Sequence, residues 1–287
     1  MILPTIAALR ASAAASLTAA GVPSPDADAE LLLGHVLGLS RGEVQARVVM
    51  GSQVSDADAA AVAELVARRA AREPLQHITG RAAFRSLELA VGPGVFVPRP
   101  ETEQVVQLAI DALNASATPE PIAVDLGSGS GAIALAMATE VPRARVFAAE
   151  NSPEAYPWTK RNFEESGATN AQLEFVDLAE AFPNLDGSVD VVASNPPYIP
   201  SAAVPRDPEV QLFDPEHALY GGEDGLDVVR RVSTTGLRLL HPGGLLVMEH
   251  GEEQAAAIAE LLRADGWSGI SWHRDLLGRD RATTAIR

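Results

Sequence analysis

The chain contains no cysteine, and this absence excludes disulfide bonds, thiolate zinc sites and cysteine nucleophiles. No apolar run approaches the roughly 18 residues that a membrane-spanning helix requires, so we expect no membrane attachment. The N-terminal residues lack a basic cluster ahead of an apolar core, which argues against a secretory signal. With 47% hydrophobic residues, the composition is that of a globular protein, and these absences together favour the cytoplasm.

Basic side chains are outnumbered, because the chain has 22 Lys and Arg against 38 Asp and Glu, a net charge of −16. Residues 1–72 are nearly balanced, with 6 basic and 7 acidic residues, so the excess negative charge lies almost wholly after residue 72. Such a surface repels phosphate backbones, which makes free nucleic acid a poor match as the main partner. The alternative is that the charge serves solubility alone.

The beginning of the chain, residues 1–72, predicts a small all-helical domain. Ala- and Leu-rich segments supply apolar helix faces, Ser40 begins a capping box with Glu43, and Ser55 is the N-cap of a longer helix. No catalytic cluster is present in these residues. We therefore interpret the domain as a recognition or docking module; the alternative is a packing extension of the main domain.

After residue 72 the pattern changes from helices to strands. Residues 74–80 and 84–91 predict two strands around a turn, so we interpret residues 73–95 as a β-hairpin linker. In the remainder, residues 96–287, strands and helices alternate along the chain. Alternation of this kind implies a mostly parallel sheet with helices on both faces, the architecture of an α/β Rossmann-like domain.

The most informative stretch is an apolar strand, residues 189–193, that stops at Asn195-Pro196-Pro197-Tyr198. Neither proline has a backbone N–H and each fixes φ, so the chain forms neither a strand nor a helix there. The proline that follows Asn195 favours an extended conformation for it. The result is a stiff corner at the carboxyl end of a strand, where open α/β sheets place their ligands. One carboxamide, two proline carbonyls and one aromatic ring predict a site that holds a flat polar group.

A second candidate site is the glycine-rich loop of residues 127–131, which follows a predicted strand ending in Asp125-Leu126. Glycines allow close approach of a ligand to the backbone, and the next helix offers free N–H groups. Glu150 follows about 20 residues on and is suited to accept hydrogen bonds from ribose hydroxyls. A dinucleotide-binding protein shows the same features. The loop alone therefore indicates a nucleoside-containing cofactor and no more.

The order of the features along the chain distinguishes between the possible nucleoside-containing cofactors. The glycine loop follows the first strand of the sheet, Glu150 ends the second, Asp177 ends the third, and the Asn-Pro-Pro-Tyr corner ends the fourth. This series resembles the Rossmann-like class I methyltransferases that use S-adenosylmethionine and carry an Asn-Pro-Pro-Tyr motif. Such enzymes methylate planar nitrogens, whose lone pair is delocalised. Two acceptors that take both N–H hydrogens favour a pyramidal nitrogen, and the Asn195 oxygen with the Pro196 carbonyl is the natural pair.

The Asn-Pro-Pro-Tyr motif serves adenine N6, cytosine N4 and glutamine amides alike, and other segments discriminate among them. Residues 73–80, 96–103 and 245–251 closely resemble the HemK/PrmC family of peptide chain release factor glutamine N5-methyltransferases. The resemblance covers essentially the whole chain. It implies methylation of the glutamine in the Gly-Gly-Gln motif of class 1 peptide chain release factors, with the helical domain helping to dock that protein. We expect a monomer.

The resemblance also assigns roles to individual residues. It implies that Asn195, Pro196 and Tyr198 are catalytic and that Pro197 joins them in binding the substrate. Tyr198 is expected to stack against the flat group. The residues that the resemblance implies for binding S-adenosylmethionine are Asp125, Gly127, Ser128, Gly129, Ser130, Gly131, Glu150, Asp177, Leu178 and Asn195. Glu150 stands where the family often has Asp, and Leu178 stands where an aromatic residue is common. No metal is expected, since no H-E-x-x-H spacing occurs among the six histidines.

Two other functions are weighed against this one. A nucleic-acid adenine-N6 methyltransferase requires a basic groove or a target-recognition domain, and the sequence shows neither. An NAD-binding Rossmann protein leaves the Asn-Pro-Pro-Tyr corner unexplained. We interpret Glu249 and His250 as structural, Arg99 as either an active-site residue or a salt-bridge partner, and residues 199–223 as a substrate-covering loop or a plain surface loop.

Overall fold

The computed structural model describes residues 3–287 and divides the chain into two compact units. The helical unit extends to Gly80 and also includes Arg206–Phe213, whereas the sheet unit comprises Arg81–Pro205 and Asp214–Arg287. Among the described helices none combines the length and the apolarity needed to cross a membrane.

The helices are α1 (Ile6–Ala19), α2 (Pro25–Leu37), α3 (Arg41–Val49), α4 (Asp56–Ala70), α5 (Leu75–Thr79), α6 (Pro100–Ala115), α7 (Ala132–Glu140), α8 (Tyr156–Ser166), α9 (Pro208–Phe213), α10 (Glu216–Leu219), α11 (Asp227–Leu239) and α12 (Ala255–Asp265). The strands are β1 (Arg81–Phe84), β2 (Leu87–Ala90), β3 (Ile122–Leu126), β4 (Arg145–Glu150), β5 (Ala171–Phe175), β6 (Val189–Ser194), β7 (Leu240–Glu249), β8 (Ser268–Arg274) and β9 (Asp280–Ile286). A short 3-10 helix spans Pro183–Leu185.

The helical unit packs α1, α2 and α4 around a core that contains Leu17, Leu32 and Leu33, all fully buried. Both predicted N-caps are confirmed. Ser40 and Glu43 form a reciprocal capping box, and the Asp58 amide donates to Ser55 Oγ (3.0 Å). Each cap satisfies a backbone N–H group that has no partner within its helix.

The predicted strand at residues 74–80 is wrong, because α5 occupies this segment. Leu75 and Ile78 are three residues apart, so a helical turn directs both into the core of the helical unit. Gly80 then ends the helix at φ 71°, a conformation that glycine adopts without steric cost. The hairpin lies further along, where β1 pairs with β2 from Arg81↔Ala90 to Phe84↔Leu87.

The segment with α9 joins the helical unit through a partly buried group of charges. The Glu209 carboxylate accepts hydrogen bonds from Arg69 (2.9 Å) and Arg72 (2.6 Å). Arg69 also donates to Asp28 Oδ2 (2.7 Å). Burial works against ionisation of Glu209, but the hydrogen bonds from the two arginines outweigh it and lower the pKa of this carboxyl.

Removal of this charge is expected to destabilise the helical unit. In Glu209→Gln the side chain keeps its size and an acceptor oxygen but loses the negative charge that faces Arg69 and Arg72. We expect a loss of about 1 kcal/mol of unfolding free energy at neutral pH, because the pair is only partly buried. Because the pKa is lowered, the stabilisation is present above the ordinary carboxyl pKa and is lost as the pH falls through the folded-state value. Hydrogen exchange of the helical unit measures both effects. The matched control, Glu64→Gln, alters an exposed position on α4, and an equal loss in the control contradicts the assignment.

The sheet unit contains a seven-stranded sheet of order β5-β4-β3-β6-β7-β9-β8. The first five strands are parallel, and β9 is antiparallel to both β7 and β8. Two hydrophobic clusters accompany the sheet, one including α6 and α7 and the other including α11 and α12. Consecutive residues of β3 point to opposite faces of the sheet: Ala123 packs in the cluster with α6 and α7, and Val124 packs in the cluster with α11 and α12. The predicted α/β Rossmann-like class is confirmed.

The strand order also locates the site. From β3 the chain proceeds outward through β4 to β5, then returns so that β6 pairs with β3 on its other side. The carboxyl ends of β3 and β6 therefore lie beside a point where the direction of winding reverses. Open α/β sheets bind ligands at such a point, and here it is flanked by the glycine loop and by the Asn-Pro-Pro-Tyr corner.

Candidate active site

The glycine loop is fixed to the neighbouring strand by its backbone. The amides of Gly127 and Ser128 both donate to the Ala149 carbonyl on β4 (3.0 Å each). Gly127 and Gly129 have φ of 76° and 55°, and apart from their chain neighbours no atom lies within 4 Å of the position that a Cβ would take. The loop thus exposes bare backbone to open space. A side chain at either position would be strained and would fill that space.

Asp125 supports the loop from beneath. Its side chain is completely buried, and Oδ2 accepts hydrogen bonds from Ser128 Oγ (2.7 Å) and the Ala134 amide (3.1 Å). Among the described residues Oδ1 has no partner. Burial raises the pKa of Asp125 to about 7, although the two hydrogen bonds oppose this shift. Asp125 therefore holds the loop in place instead of forming part of the cavity wall.

Glu150 ends β4 and faces the loop across the sheet edge. Its side chain is buried, Oε2 accepts from the Gly129 amide (2.7 Å), and Oε1 accepts from the Ser152 amide (2.7 Å). Each carboxylate oxygen has two lone pairs, so both oxygens retain capacity for another donor. Glu150 is therefore placed both to hold the loop and to accept hydrogen bonds from the hydroxyl groups of a ligand.

Asp177 follows β5 and is held by an arginine. It forms an ion pair with Arg231 on α11 and accepts from Asn151 Nδ2 (3.1 Å) and the Ala179 amide (3.0 Å). Partial burial opposes ionisation, but Arg231 and these donors keep the pKa of Asp177 below its ordinary value. The next residue, Leu178, lines the cavity together with Val228, which gives that part of the wall an apolar surface.

The Asn-Pro-Pro-Tyr corner is anchored on both sides. The preceding Ser194 donates from Oγ to the Leu126 carbonyl (2.6 Å), which ties β6 to β3. Asn195 Nδ2 donates to Thr102 Oγ1 on α6 (3.4 Å). The Tyr198 carbonyl accepts from Gln254 Nε2 (2.8 Å). The corner therefore has little freedom to move, as expected for a binding element that must hold one geometry.

The phenol of Tyr198 stays protonated over the physiological range. Burial raises the pKa of Tyr198 to about 12, and the nearby carboxylate of Glu249 acts in the same direction. Arg281 and Arg99 act against the shift without cancelling it. Tyr198 therefore presents a neutral ring on the cavity wall, and it does not serve as a base near neutral pH.

Arg99 forms the salt bridge that was one of its two predicted roles. Its Nη2 donates to Asp214 Oδ2 (2.6 Å), and the guanidinium carbon lies 4.9 Å from the centroid of the Phe96 ring. The Asp214 side chain is fully buried, and burial raises its pKa to about 6 against the effect of Arg99. Arg99 is absent from the cavity wall, whereas Phe96 belongs to it.

The glycine loop and the corner line one cavity of about 290 Å³, near the lower end of the roughly 300–1,000 Å³ typical of small-molecule sites. The predicted site residues on its wall are Gly127, Ser128, Gly129, Ser130, Glu150, Leu178, Asn195, Pro196, Pro197 and Tyr198. Asp125, Gly131 and Asp177 lie outside the wall, in supporting positions. Gly131 starts α7 at φ 84°, with Phe163 3.1 Å from its Cβ position.

Several wall residues were missed from the sequence. They are Gly94, Phe96, Pro98, Thr102, Leu126, Ala132, Ile133, Asn151, Ala155, Val228 and Arg231. The segment 199–223, predicted as a substrate-covering or plain surface loop, also contributes Ile199, His217, Ala218 and Leu219 to the wall. Thr102 had a signal, because it lies in the first turn of a helix that begins at the second proline of a Pro-Arg-Pro segment. Val228 and Arg231 had none, since the segment that precedes α11 gives no sign of where the helix will pack. Ile199 and Leu219 are joined by a backbone hydrogen bond (2.8 Å), so residues 199–223 are partly structured by α9 and α10.

One histidine, His217, lies on the cavity wall. His250 is completely buried and its Nε2 lies 2.9 Å from Thr283 Oγ1; burial lowers its pKa and favours the neutral ring. Within residues 3–287 no three His, Asp or Glu side chains are grouped as metal ligands.

Comparison with known proteins gives matches along the chain. Residues 8–80 match the family described as PrmC N-terminal domain, and residues 86–213 match the family described as Methyltransferase small domain. A release factor glutamine methyltransferase of Streptomyces coelicolor is 52% identical, over 96% of this chain and 95% of its own. The 4-amino-L-phenylalanine/4-methylamino-L-phenylalanine methyltransferase of Streptomyces pristinaespiralis is 39% identical, over 99% of this chain and 96% of its own.

A solved structure supports the fold independently. The hMettl16 catalytic domain, in complex with the MAT2A 3'UTR hairpin 6, matches with a TM-score of 0.57 over 78% of this chain and 82% of that one. Its sequence is only 15% identical, so the similarity establishes the methyltransferase architecture of the sheet and nothing about the substrate.

Proposed function

The chain belongs to the release factor glutamine methyltransferase family, and we propose that it methylates the glutamine side-chain nitrogen N5 in the Gly-Gly-Gln motif of class 1 peptide chain release factors. The methyl donor in this proposal is S-adenosylmethionine. The observation that carries the proposal is the corner at the cavity, where Asn195 Nδ2 is already engaged by Thr102 and Asn195 Oδ1 is left to accept from a ligand.

The cavity fits the proposed methyl donor. Gly127 and Gly129 present backbone where any side chain would intrude, and Glu150 is placed for ribose hydroxyls. Leu178 and Val228 supply an apolar wall that suits a nucleobase. In this chain, apolar contact with Leu178 takes the place of the aromatic stacking that an aromatic residue at this position provides in other family members. When bound, S-adenosylmethionine supplies a methyl group that is already activated by its sulfonium.

The corner acts on the nitrogen to be methylated. A primary amide carries two N–H hydrogens, and the Asn195 oxygen and the Pro196 carbonyl are acceptors within one short segment of the same cavity wall. Hydrogen bonds to both hydrogens favour a pyramidal nitrogen with an available lone pair. Tyr198 packs against the flat group and restricts its pose. The methylated nitrogen loses one of its protons after the transfer, which leaves S-adenosylhomocysteine as the second product. No strong base is required, so positioning and electrostatics provide the rate enhancement.

Docking of the release factor is assigned to the helical residues 1–72, with residues 73–95 as the linker and residues 96–287 as the methyltransferase domain. The lack of a catalytic cluster in the first 72 residues and the match of residues 8–80 to a distinct family domain support a separate helical domain. Both this match and the helical unit of the structure extend to residue 80. The enzyme in this proposal is a cytoplasmic monomer.

Two other planar nitrogens compete with the glutamine amide. One is an aromatic amine, because the Streptomyces pristinaespiralis relative is named for such a substrate. The other is adenine N6 in nucleic acid, which the net charge of −16 disfavours.

A substrate panel separates these possibilities. The purified chain is incubated with labelled S-adenosylmethionine and, in separate reactions, a class 1 release factor, duplex DNA or 4-amino-L-phenylalanine. We expect label in the release factor alone, and a release factor with its Gly-Gly-Gln glutamine changed to alanine is the control that should stay unlabelled. Label in DNA or in the amino acid, with none in the release factor, overturns the proposal.

A further inference from the structure

A buried acid lies directly behind the Asn-Pro-Pro-Tyr corner. The register between β6 and β7 pairs Ser194 with Met248, so the following residues, Asn195 and Glu249, are neighbours across the sheet edge. Glu249 is only 2% exposed and does not line the cavity. The side chains of Thr102 and Asn195 lie near enough to this carboxylate to lower the pKa of Glu249, and within the described chain Oε2 has no partner.

The chemistry of a carboxylate makes this arrangement directional. An ionised carboxylate only accepts hydrogen bonds, so the Asn195 group that faces Glu249 must be the donor Nδ2. The carboxamide is nearly symmetric in shape, and packing alone distinguishes poorly between its oxygen and its nitrogen. The reversed orientation would direct N–H groups toward the substrate nitrogen, whose own two N–H hydrogens need acceptors.

We propose that Glu249 is a positioning residue that fixes the Asn195 carboxamide with its oxygen toward the substrate amide, and that Thr102 is the bridge between them. Thr102 Oγ1 accepts from Asn195 Nδ2 (3.4 Å). Its own hydroxyl hydrogen can then be donated to the Glu249 carboxylate, whose pKa Thr102 lowers, so the three side chains can hold one consistent direction of hydrogen bonding. The inference rests on the proposed function, since it deepens the role of Asn195 in amide methylation.

Protonation of Glu249 would remove its preference for the Asn195 Nδ2 group, because a carboxylic acid both donates and accepts hydrogen bonds. Either end of the Asn195 carboxamide could then face Glu249. Burial raises the pKa of Glu249 to about 7, and Glu101 on α6 adds to the shift. Thr102, Asn195 and Arg281 on β9 oppose it. Tyr198 also faces this carboxylate and stays neutral, since its pKa is about 12. The kcat is therefore expected to rise with pH through about 7 and then to level off.

The test compares three full-length variants with the wild type, with a class 1 release factor as substrate. Glu249→Leu removes the acceptor and is expected to lower kcat by about 10–100-fold, with little change in the KM for S-adenosylmethionine. Glu249→Gln keeps an acceptor oxygen, so it should retain more activity than Glu249→Leu. Because a glutamine side chain does not titrate, the rise of kcat near pH 7 should be absent in this variant. Glu260→Leu, at an exposed position on α12, is the matched control and should behave as the wild type.

A double variant distinguishes positioning from an independent role. If Glu249 acts through Asn195, Glu249→Leu combined with Asn195→Ala is no slower than Asn195→Ala alone. Should Glu249→Leu fail to fold, Thr102→Val interrupts the same bridge and is expected to lower kcat in the same direction.

Three results overturn the inference: wild-type kcat and pH profile in Glu249→Leu, an unchanged pH profile in Glu249→Gln, or additive losses in the double variant. A wild-type enzyme that leaves the release factor unmethylated is a different result, and it refutes the proposed function instead.

Discussion

Replacement of Asn195 by alanine is expected to lower kcat for glutamine methylation by about 100–1,000-fold, the range seen when one preorganised hydrogen-bonding group is removed from a reacting centre. The Asn195 oxygen is one of the two acceptors that the corner offers to the amide hydrogens. Because the glycine loop and Glu150 lie on other strands, the dissociation constant for S-adenosylmethionine should change little.

Single-turnover kinetics and titration calorimetry measure these two effects separately. Asn114→Ala, which changes an exposed asparagine at the end of α6, is the matched control. Near-normal turnover in Asn195→Ala refutes the proposed role. A parallel loss of cofactor binding and of the thermal unfolding temperature indicates a collapsed site and refutes it equally.

Replacement of Glu150 by alanine is expected to act on the other ligand. The change removes the acceptor for ribose hydroxyls and also deprives the amides of Gly129 and Ser152 of their partner. Charge-assisted hydrogen bonds of this kind correspond to about a 10–100-fold weaker dissociation constant for S-adenosylmethionine.

Glu150→Asp is the matched variant, because it keeps the charge and shortens the arm. We expect an affinity between those of the wild type and Glu150→Ala, with kcat at saturating S-adenosylmethionine largely retained in both. Calorimetry with S-adenosylmethionine and with its demethylated product checks the order. An unchanged affinity of Glu150→Ala for S-adenosylmethionine would contradict the assignment of Glu150 to the ribose hydroxyls and leave it only the contact with the glycine loop.

The parts of the site that the sequence predicted are those fixed by local chemistry. Two successive prolines after Asn195 leave few backbone conformations, and glycines at positions 127 and 129 have the positive φ values that only glycine adopts cheaply. Each feature follows a buried strand, so its place at the carboxyl edge of a parallel sheet follows from topology. For these reasons the glycine loop, Glu150 and the corner line one cavity as predicted.

The parts that were missed depend on contacts between distant segments. Glu249 resembled an ordinary strand end, and only the pairing of β6 with β7 shows that it reaches Asn195. Similarly, nothing local to Glu209 predicts its ion pairs with Arg69 and Arg72, more than 130 residues earlier in the chain. The strand predicted at 74–80 failed for a related reason, since packing of Leu75 and Ile78 in the helical unit overrides a local preference.

The role of Asp177 in cofactor binding stays a prediction, and the structure shows which groups hold its carboxylate. Asp177 ends the third strand of the series as the resemblance implied, but its carboxylate is occupied by Arg231 and Asn151. We infer that it orients these two wall residues, which face the cavity beside Leu178. In the proposed function, the nucleobase is held by apolar contact with Leu178 and Val228 and by polar groups that Asp177 orients.

The central claim concerns one atom of one substrate, and the direct measurement is to locate the transferred methyl group. A class 1 release factor purified without methylation is incubated with the enzyme and S-adenosylmethionine, digested, and analysed by fragmentation mass spectrometry. The account predicts a single added methyl group on the side-chain nitrogen of the Gly-Gly-Gln glutamine, absent when Asn195→Ala replaces the wild type. A methyl group on any other residue, or an unmodified release factor after complete reaction with a small aromatic amine, contradicts it.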